Sequence, residues 1–297
     1  VNAALTFDAL QRQMAQRLSA GASATSATPA TSATLGTPKL DARLLLEHAS
    51  GLSPEDLALK AMHTAPQNIQ DEAMNLVAAR LTGKPVAKII GVKEFWGRPF
   101  AVSPKVLDPR PDSETLIEAA LARLPPQTPL RAIDLGTGSG CLLLTLAAER
   151  PKLTGLGIDK SPAALTLARR NAHKLQLRHQ VALRHGDWLH GVVENVDMII
   201  ANPPYIARAE IAELAKDVRL FDPRAALDGG IDGMAPYRLL IAPAWQHLKK
   251  GGYVLLEIGP TQAEAICAML ADVGFSEPLV LQDLAGRDRV LVAQKSQ

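Results

Sequence analysis

Asn202-Pro203-Pro204-Tyr205 follows the apolar run "MIIA" and ends it abruptly. A proline pair locks its backbone and donates nothing to a β-ladder, so a side-chain amide and an aromatic ring are held in fixed directions where a core strand stops. A second constellation lies upstream. "AIDLGTGSGCLLLTLAAE" sets Gly136, Gly138 and Gly140 between a strand and a helix. Glycines there permit a tight turn and let a ligand approach the backbone at the positive end of the helix. Asp159, nineteen residues beyond Gly140, ends the next apolar segment, where an acid can accept both hydroxyls of a ribose. "HGDW" adds Asp187 and Trp188 at the end of a third, an indole on which adenine can stack beside an acceptor for its amino group. Together these spacings point to nucleoside binding. Position 141, where a dinucleotide fingerprint needs its third glycine, is Cys141, and no Lys-Ser/Thr pair follows, which excludes a P-loop. Singly, each feature has a plainer use: a structural turn, an acid or cap at a helix start, a packed indole.

These residues need a scaffold of strand ends. From Asp112 onward, apolar segments ("RAIDL", "TGLGID", "QVALRHGD", "VDMIIAN", "GYVLLEIG") alternate with helical stretches, the pattern of a parallel sheet covered on both faces. "EPLVLQDLAGRDRVLVAQ" reads instead as a terminal hairpin. Upstream, "NAALTFDALQRQMAQRL" has helical spacing, and "KLDARLLLEHASG", "SPEDLALKA" and "APQNIQDEAMNLVAARLTG" make three further short helices, with Ser53 suited to a start and Gly83 to a stop. Residues 1–85 are therefore expected to form a small helical domain. Within it, 15 of the 19 positions from 19 to 37 are Ala, Ser or Thr, expected to be a flexible insertion. Residues 86–110 read as a connector with a β-hairpin, and 111–297 as the α/β domain. In the connector, Phe95, Trp96 and Phe100 either pack as a hairpin or roof a ligand pocket. Asp112 and Glu114 suit a helix start as well as a ligand, and Cys141 suits packing better than nucleophilic attack.

Composition narrows the classes. The net charge is +2, with 8 Lys/Arg against 7 Asp/Glu in residues 1–90 and 24 against 23 in the rest, so no broad phosphate-neutralising surface is evident. Two cysteines, Cys141 and Cys267, build neither a disulfide framework nor a zinc cluster and fit a reducing, cytoplasmic setting. No apolar run approaches the ~20 residues of a membrane span.

"DLGTGSG", an acid ending the second strand and "NPPY" ending the fourth together resemble the S-adenosylmethionine-dependent methyltransferases that act on amino nitrogens. The resemblance implies a Rossmann-like seven-stranded sheet whose last strand is antiparallel. Residues 94–121, "EFWGRPFAVSPKVLDPRPDSETLIEAAL", look like the connector of the protein-(glutamine-N5) methyltransferases that modify peptide chain release factors, the PrmC/HemK type. "PKLDARLLLEHASG", "VRLFDPRAALDGGIDGMAPYRLLI" and "LKKGGYVLLEIGPTQ" are similar to further parts of it, from about residue 38 onward.

That resemblance implies S-adenosylmethionine held by Asp134, Gly136, Thr137, Gly138, Ser139, Gly140, Asp159, Asp187, Trp188 and Asn202, with Asn202, Pro203, Pro204 and Tyr205 holding the glutamine of a Gly-Gly-Gln motif. An amide nitrogen is a poor nucleophile, its lone pair delocalised as strongly as the barrier of about 18–20 kcal/mol to amide rotation indicates. Two fixed acceptors, the Asn202 side-chain oxygen and the Pro203 carbonyl, would steady the N–H hydrogens as positive charge grows on nitrogen. Tyr205 would stack on the flat amide, and alignment of this kind is worth about 7–11 kcal/mol. No metal and no general base are expected, and the partner is a release factor met by a monomer without nucleic acid. A ribosomal-protein glutamine methyltransferase, a nucleic-acid amino methyltransferase and a non-catalytic S-adenosylmethionine sensor are the alternatives.

Overall fold

The computed structural model describes residues 5–25 and 37–296, and contacts divide them into two units. The first holds α1 (Phe7–Thr25), α2 (Pro38–Ser50), α3 (Pro54–Leu59), α4 (Gln67–Leu81) and α5 (Val86–Ile90). Leu10, Met14 and Leu18, one helical turn apart on α1, are fully buried with Leu45 and Leu46 of α2. Ser53 caps α3 by accepting the Asp56 N–H at 3.1 Å. Gly83, at φ 97°, follows α4 and donates its N–H to the Arg80 carbonyl. The Arg80 guanidinium donates to Asp41 at 2.8 Å, a buried ion pair joining α4 to α2. α1 continues through Thr25, seven residues into the expected insertion. Alanine sustains the helix there, and Gly21 lets it approach α4: a Cβ at that position would meet Leu81 Cδ2 at 2.3 Å. The remainder of that stretch, 26–36, lies outside the described residues.

The second unit opens with the hairpin β1 (Val92–Phe95) and β2 (Arg98–Ala101). After one 3₁₀ turn at Pro111–Ser113 come α6 (Glu114–Leu121), β3 (Leu130–Leu135), α7 (Cys141–Glu149), β4 (Leu153–Asp159), α8 (Pro162–Lys174), β5 (Val181–His185) and β6 (Val196–Ala201). The chain then contributes residues 212–221, with α9 (Lys216–Phe221), to the first unit. It closes with α10 (Ala235–His247), β7 (Leu248–Glu257), α11 (Ala263–Val273), β8 (Leu279–Gln282) and β9 (Asp288–Gln294). The seven strands run β5-β4-β3-β6-β7-β9-β8, parallel except for β9, which lies antiparallel between β7 and β8. This is the expected Rossmann-like methyltransferase sheet.

The expected boundaries at 85/86 and 110/111 differ from this division. α5 belongs with the helices, since Val86, Ile89 and Ile90 pack on their core. The hairpin belongs to the sheet unit, because Phe95 and Phe100 are buried in one core with Leu116 and Leu143. Phe95 meets Phe100 edge-on at 6.2 Å.

Candidate active site

Strand order reverses between β3 and β6, and ligands of open α/β sheets bind at the carboxyl ends beside such a reversal. The register pairs Leu135 with Ala201 and Leu135 with Ile158. The next residues, Gly136 and Asn202, therefore emerge side by side, with Asp159 one strand over. A cavity of about 270 Å³ opens there, lined by Gly136, Gly138, Asp159, Asp187, Trp188 and Asn202 among others. Four residues expected at the cofactor do not line it. Thr137 turns its hydroxyl down to donate to the buried Asp134 carboxylate at 2.6 Å, and burial pushes Asp134 up to about 7, with Asp159 adding to the rise. Ser139 is buried, its carbonyl accepting from Asn171 Nδ2. Gly140 serves packing: at φ 80°, an added Cβ would lie 2.9 Å from Leu144 and 3.3 Å from Ala168.

Asp159 bridges two backbone segments, accepting the Gly138 N–H at 2.9 Å and the Ser161 N–H at 2.7 Å. Trp188 has φ 49°, uncommon for a bulky side chain, and its indole lies across Gly136, where a Cβ would touch it at 3.8 Å. The connector reaches the cavity through Lys105, Val106 and Leu107; Phe95, Trp96 and Phe100 are not among the lining residues. Glu114 accepts the Trp96 N–H at 2.9 Å and Asp112 pairs with Arg287 and Arg289, so both acids act within the scaffold. Burial pushes the Cys141 thiol up to about 12, which disqualifies it as a nucleophile. Asn171, on the inner face of α8, is fully buried. Its amide exchanges hydrogen bonds with both main-chain groups of Ala101 and reaches Ser139, joining α8, the hairpin and the glycine loop.

Around Asn202 the structure adds residues that motif and spacing did not single out. Asn202 Nδ2 donates to Ser113 Oγ at 3.1 Å, and Ser113 Oγ donates to Glu257 Oε2 at 2.5 Å. Glu257, the last residue of β7, is pushed up to about 7, chiefly by burial, against the lowering hydrogen bond from Ser113 and the charge of Arg289. With its nitrogen tied back, Asn202 keeps Oδ1 as an acceptor. Among the described residues, neither that oxygen nor the Pro203 carbonyl receives a hydrogen bond. Pro203 is buried and Pro204 lines the cavity. Tyr205 does not line it. Its ring packs against the core around Tyr237, Arg289 Nη1 donates to its hydroxyl at 3.3 Å, and Gln262 Nε2 donates to its carbonyl at 2.9 Å. Burial and the charge of Glu257 push the Tyr205 hydroxyl up to about 12, so it is no base near neutrality. Two signals for these residues were present: an acid inside "VLLEIG" and an arginine inside the apolar strand "DRVLVAQ".

The sequence model of the "Methyltransferase small domain" family matches residues 110–223, and that of the "PrmC N-terminal domain" matches residues 25–91. A release factor glutamine methyltransferase of Cereibacter sphaeroides is 45% identical over 254 residues, covering 86% of this chain and 90% of that one. Its counterpart from Neisseria gonorrhoeae is 42% identical over 260 residues, covering 86% and 93%. Among solved structures, a methyltransferase from Pyrococcus furiosus shares the fold, with a TM-score of 0.51 at 19% identity over 75% of this chain and 99% of that one. Identity at this level over nearly the full length of its relatives, spanning helical unit and sheet unit alike, means that the chain belongs to the release factor glutamine methyltransferase family.

Proposed function

We propose that the protein transfers the methyl group of S-adenosylmethionine to the side-chain amide nitrogen of the glutamine in the Gly-Gly-Gln motif of peptide chain release factors. The observation that carries this reading is Asn202 Oδ1, an unengaged acceptor on the cavity wall shared with the glycine loop, followed in the chain by the unengaged carbonyl of Pro203. A planar NH2 presents two hydrogens, and two fixed oxygens match them. The match improves as the nitrogen gains positive charge, which is where stabilisation accelerates the reaction.

The residues of the cavity fit S-adenosylmethionine. Gly136 and Gly138 leave the backbone open, Asp159 offers lone pairs beyond its two backbone bonds, and Trp188 supplies a flat apolar surface. Bound there, the cofactor supplies an electrophilic methyl on sulfur. The chain's own part is to orient the acceptor and keep water from the nitrogen. The buried Pro203 and the Tyr205 main chain, tied down by Gln262, resist displacement of the clamp. The Tyr205 ring, packed against the core with Arg289 on its hydroxyl, anchors the chain just beyond the clamp. A release factor substrate sets the reaction in the cytoplasm, and the flat charge balance supports a protein over a nucleic acid.

The test offers labelled S-adenosylmethionine to the enzyme with purified release factor, ribosomal protein and duplex DNA in parallel. Label on the release factor glutamine is expected; label on the other two, or on none, contradicts the reading.

A further inference from the structure

The side-chain amide of Asn202 has two ends that differ only in hydrogen-bond polarity, and the clamp works with one of them. Turned over, its NH2 would oppose the NH2 of the acceptor. A serine hydroxyl alone does not decide the matter, because it donates to an amide oxygen as readily as it accepts from an amide nitrogen. Ser113, however, is bonded on its other side to Glu257 Oε2 at 2.5 Å, and both side chains are buried. An ionised carboxylate only accepts. It therefore takes the Ser113 proton, leaves Ser113 Oγ as an acceptor toward Asn202 Nδ2 at 3.1 Å, and turns Oδ1 the other way.

We propose that Glu257, acting through Ser113, is a positioning residue that sets the polarity of the Asn202 amide, so that the acceptor clamp forms with the carboxylate and is lost with the carboxylic acid. This rests on the clamp role proposed for Asn202. A protonated Glu257 can itself donate to Ser113, freeing the serine proton to occupy Asn202 Oδ1. The charged and titratable groups facing Glu257 are Arg289 on β9, Asp112 in the 3₁₀ turn, Tyr205 after β6, Tyr237 on α10 and Cys141 at the start of α7, and the Asn202 amide itself also favours the carboxylate as a hydrogen-bond donor. Of these, Arg289 favours the carboxylate and Asp112 opposes it. Tyr237 Oη donates to the Glu257 main-chain oxygen at 2.8 Å, which fixes the backbone but not the charge. With Glu257 pushed up to about 7, the switch falls near neutrality.

Glu257→Gln, Ser113→Ala and Asn202→Ala are compared with the wild type for methyl transfer to release factor between pH 6 and 9, for cofactor affinity by calorimetry, and for the pH dependence of the Asn202 side-chain ¹⁵N shift. In the wild type, kcat should fall about tenfold per unit below about pH 7, and the Asn202 ¹⁵N signal should move over the same range. Glu257→Gln and Ser113→Ala should each lower kcat by roughly 10²-fold, abolish the acid limb and the ¹⁵N shift, and leave cofactor affinity unchanged. Should Glu257→Gln fail to fold, Ser113→Ala carries the same expectation with the carboxylate retained. Inactive Asn202→Ala beside Glu257→Gln and Ser113→Ala variants with wild-type kcat and acid limb would overturn the positioning role alone. A fully active Asn202→Ala would overturn it together with the clamp.

Discussion

Trp188 and Asp159 show how single residues divide the work at the cavity. Asp159 closes the glycine loop by accepting from Gly138 and turns the chain into α8 by accepting from Ser161. Its loss would therefore disturb shape as well as binding. Trp188 makes no such tie, and its indole lies across Gly136 on the cavity wall. Stacking a base on an aromatic ring is worth about 1–3 kcal/mol. Trp188→Ala should accordingly raise the Kd for S-adenosylmethionine by about 10- to 100-fold, measured by calorimetry, with kcat at saturating cofactor little changed. An unchanged Kd would mean that adenine lies elsewhere. At this scale local spacing picked out the residues that line the cavity, namely Gly136, Gly138, Asp159, Asp187 with Trp188, and Asn202, while Gly140 of the same loop serves packing. Asp134 and Thr137 share that neighbourhood but point inward, because a short loop has an underside and spacing does not say which side chains face it.

At the scale of elements, alternating strand and helix patterns, with β6 cut by its proline pair, made the sheet legible, and the terminal hairpin foretold the antiparallel β9. The ties between elements were not legible. Asn171 in α8 bonds residues 70 positions earlier at Ala101, and Ser113 bonds Glu257 across 144 positions. A lone polar residue in an amphipathic helix carries no sign of which loop it will satisfy. Removing the Asn171 amide strands the Ala101 N–H and carbonyl and the Ser139 carbonyl in a buried setting, and each lost partner costs about 1–3 kcal/mol. Asn171→Ala should destabilise the protein by about 3 kcal/mol or more in urea titration and weaken S-adenosylmethionine binding, since the glycine loop loses its anchor. A variant with wild-type stability would show that water replaces the amide without cost. Alanine content misled on the stretch from residue 19. A composition that buries little reads as flexible, yet α1 runs on through Thr25 where Gly21 fits against Leu81.

Of the buried acids among the described residues, Asp134 and Glu257 are each raised to about 7 by burial. Unfolded, such groups titrate near pH 4, so between about 4 and 7 the folded chain holds more protons and its stability falls as pH rises. Each contributes a loss on the order of 3 kcal/mol once the pH passes 7. The thermal midpoint should therefore drop from pH 5 to pH 8, and drop less in Asp134→Asn and Glu257→Gln; a midpoint that rises over that range would contradict the assignment. The division into units was only partly legible, since "AELAKDVRLF" contains nothing to announce that residues 212–221 join the helical unit. What both units are proposed to serve is a clamp of two oxygens on a weakly nucleophilic nitrogen. Its most direct test is Asn202→Ala, with transfer to intact release factor and S-adenosylmethionine affinity measured on the same preparation. Transfer reduced by roughly 10²-fold or more with affinity unchanged is the predicted result. Undiminished transfer, or affinity lost in step with it, would contradict the account.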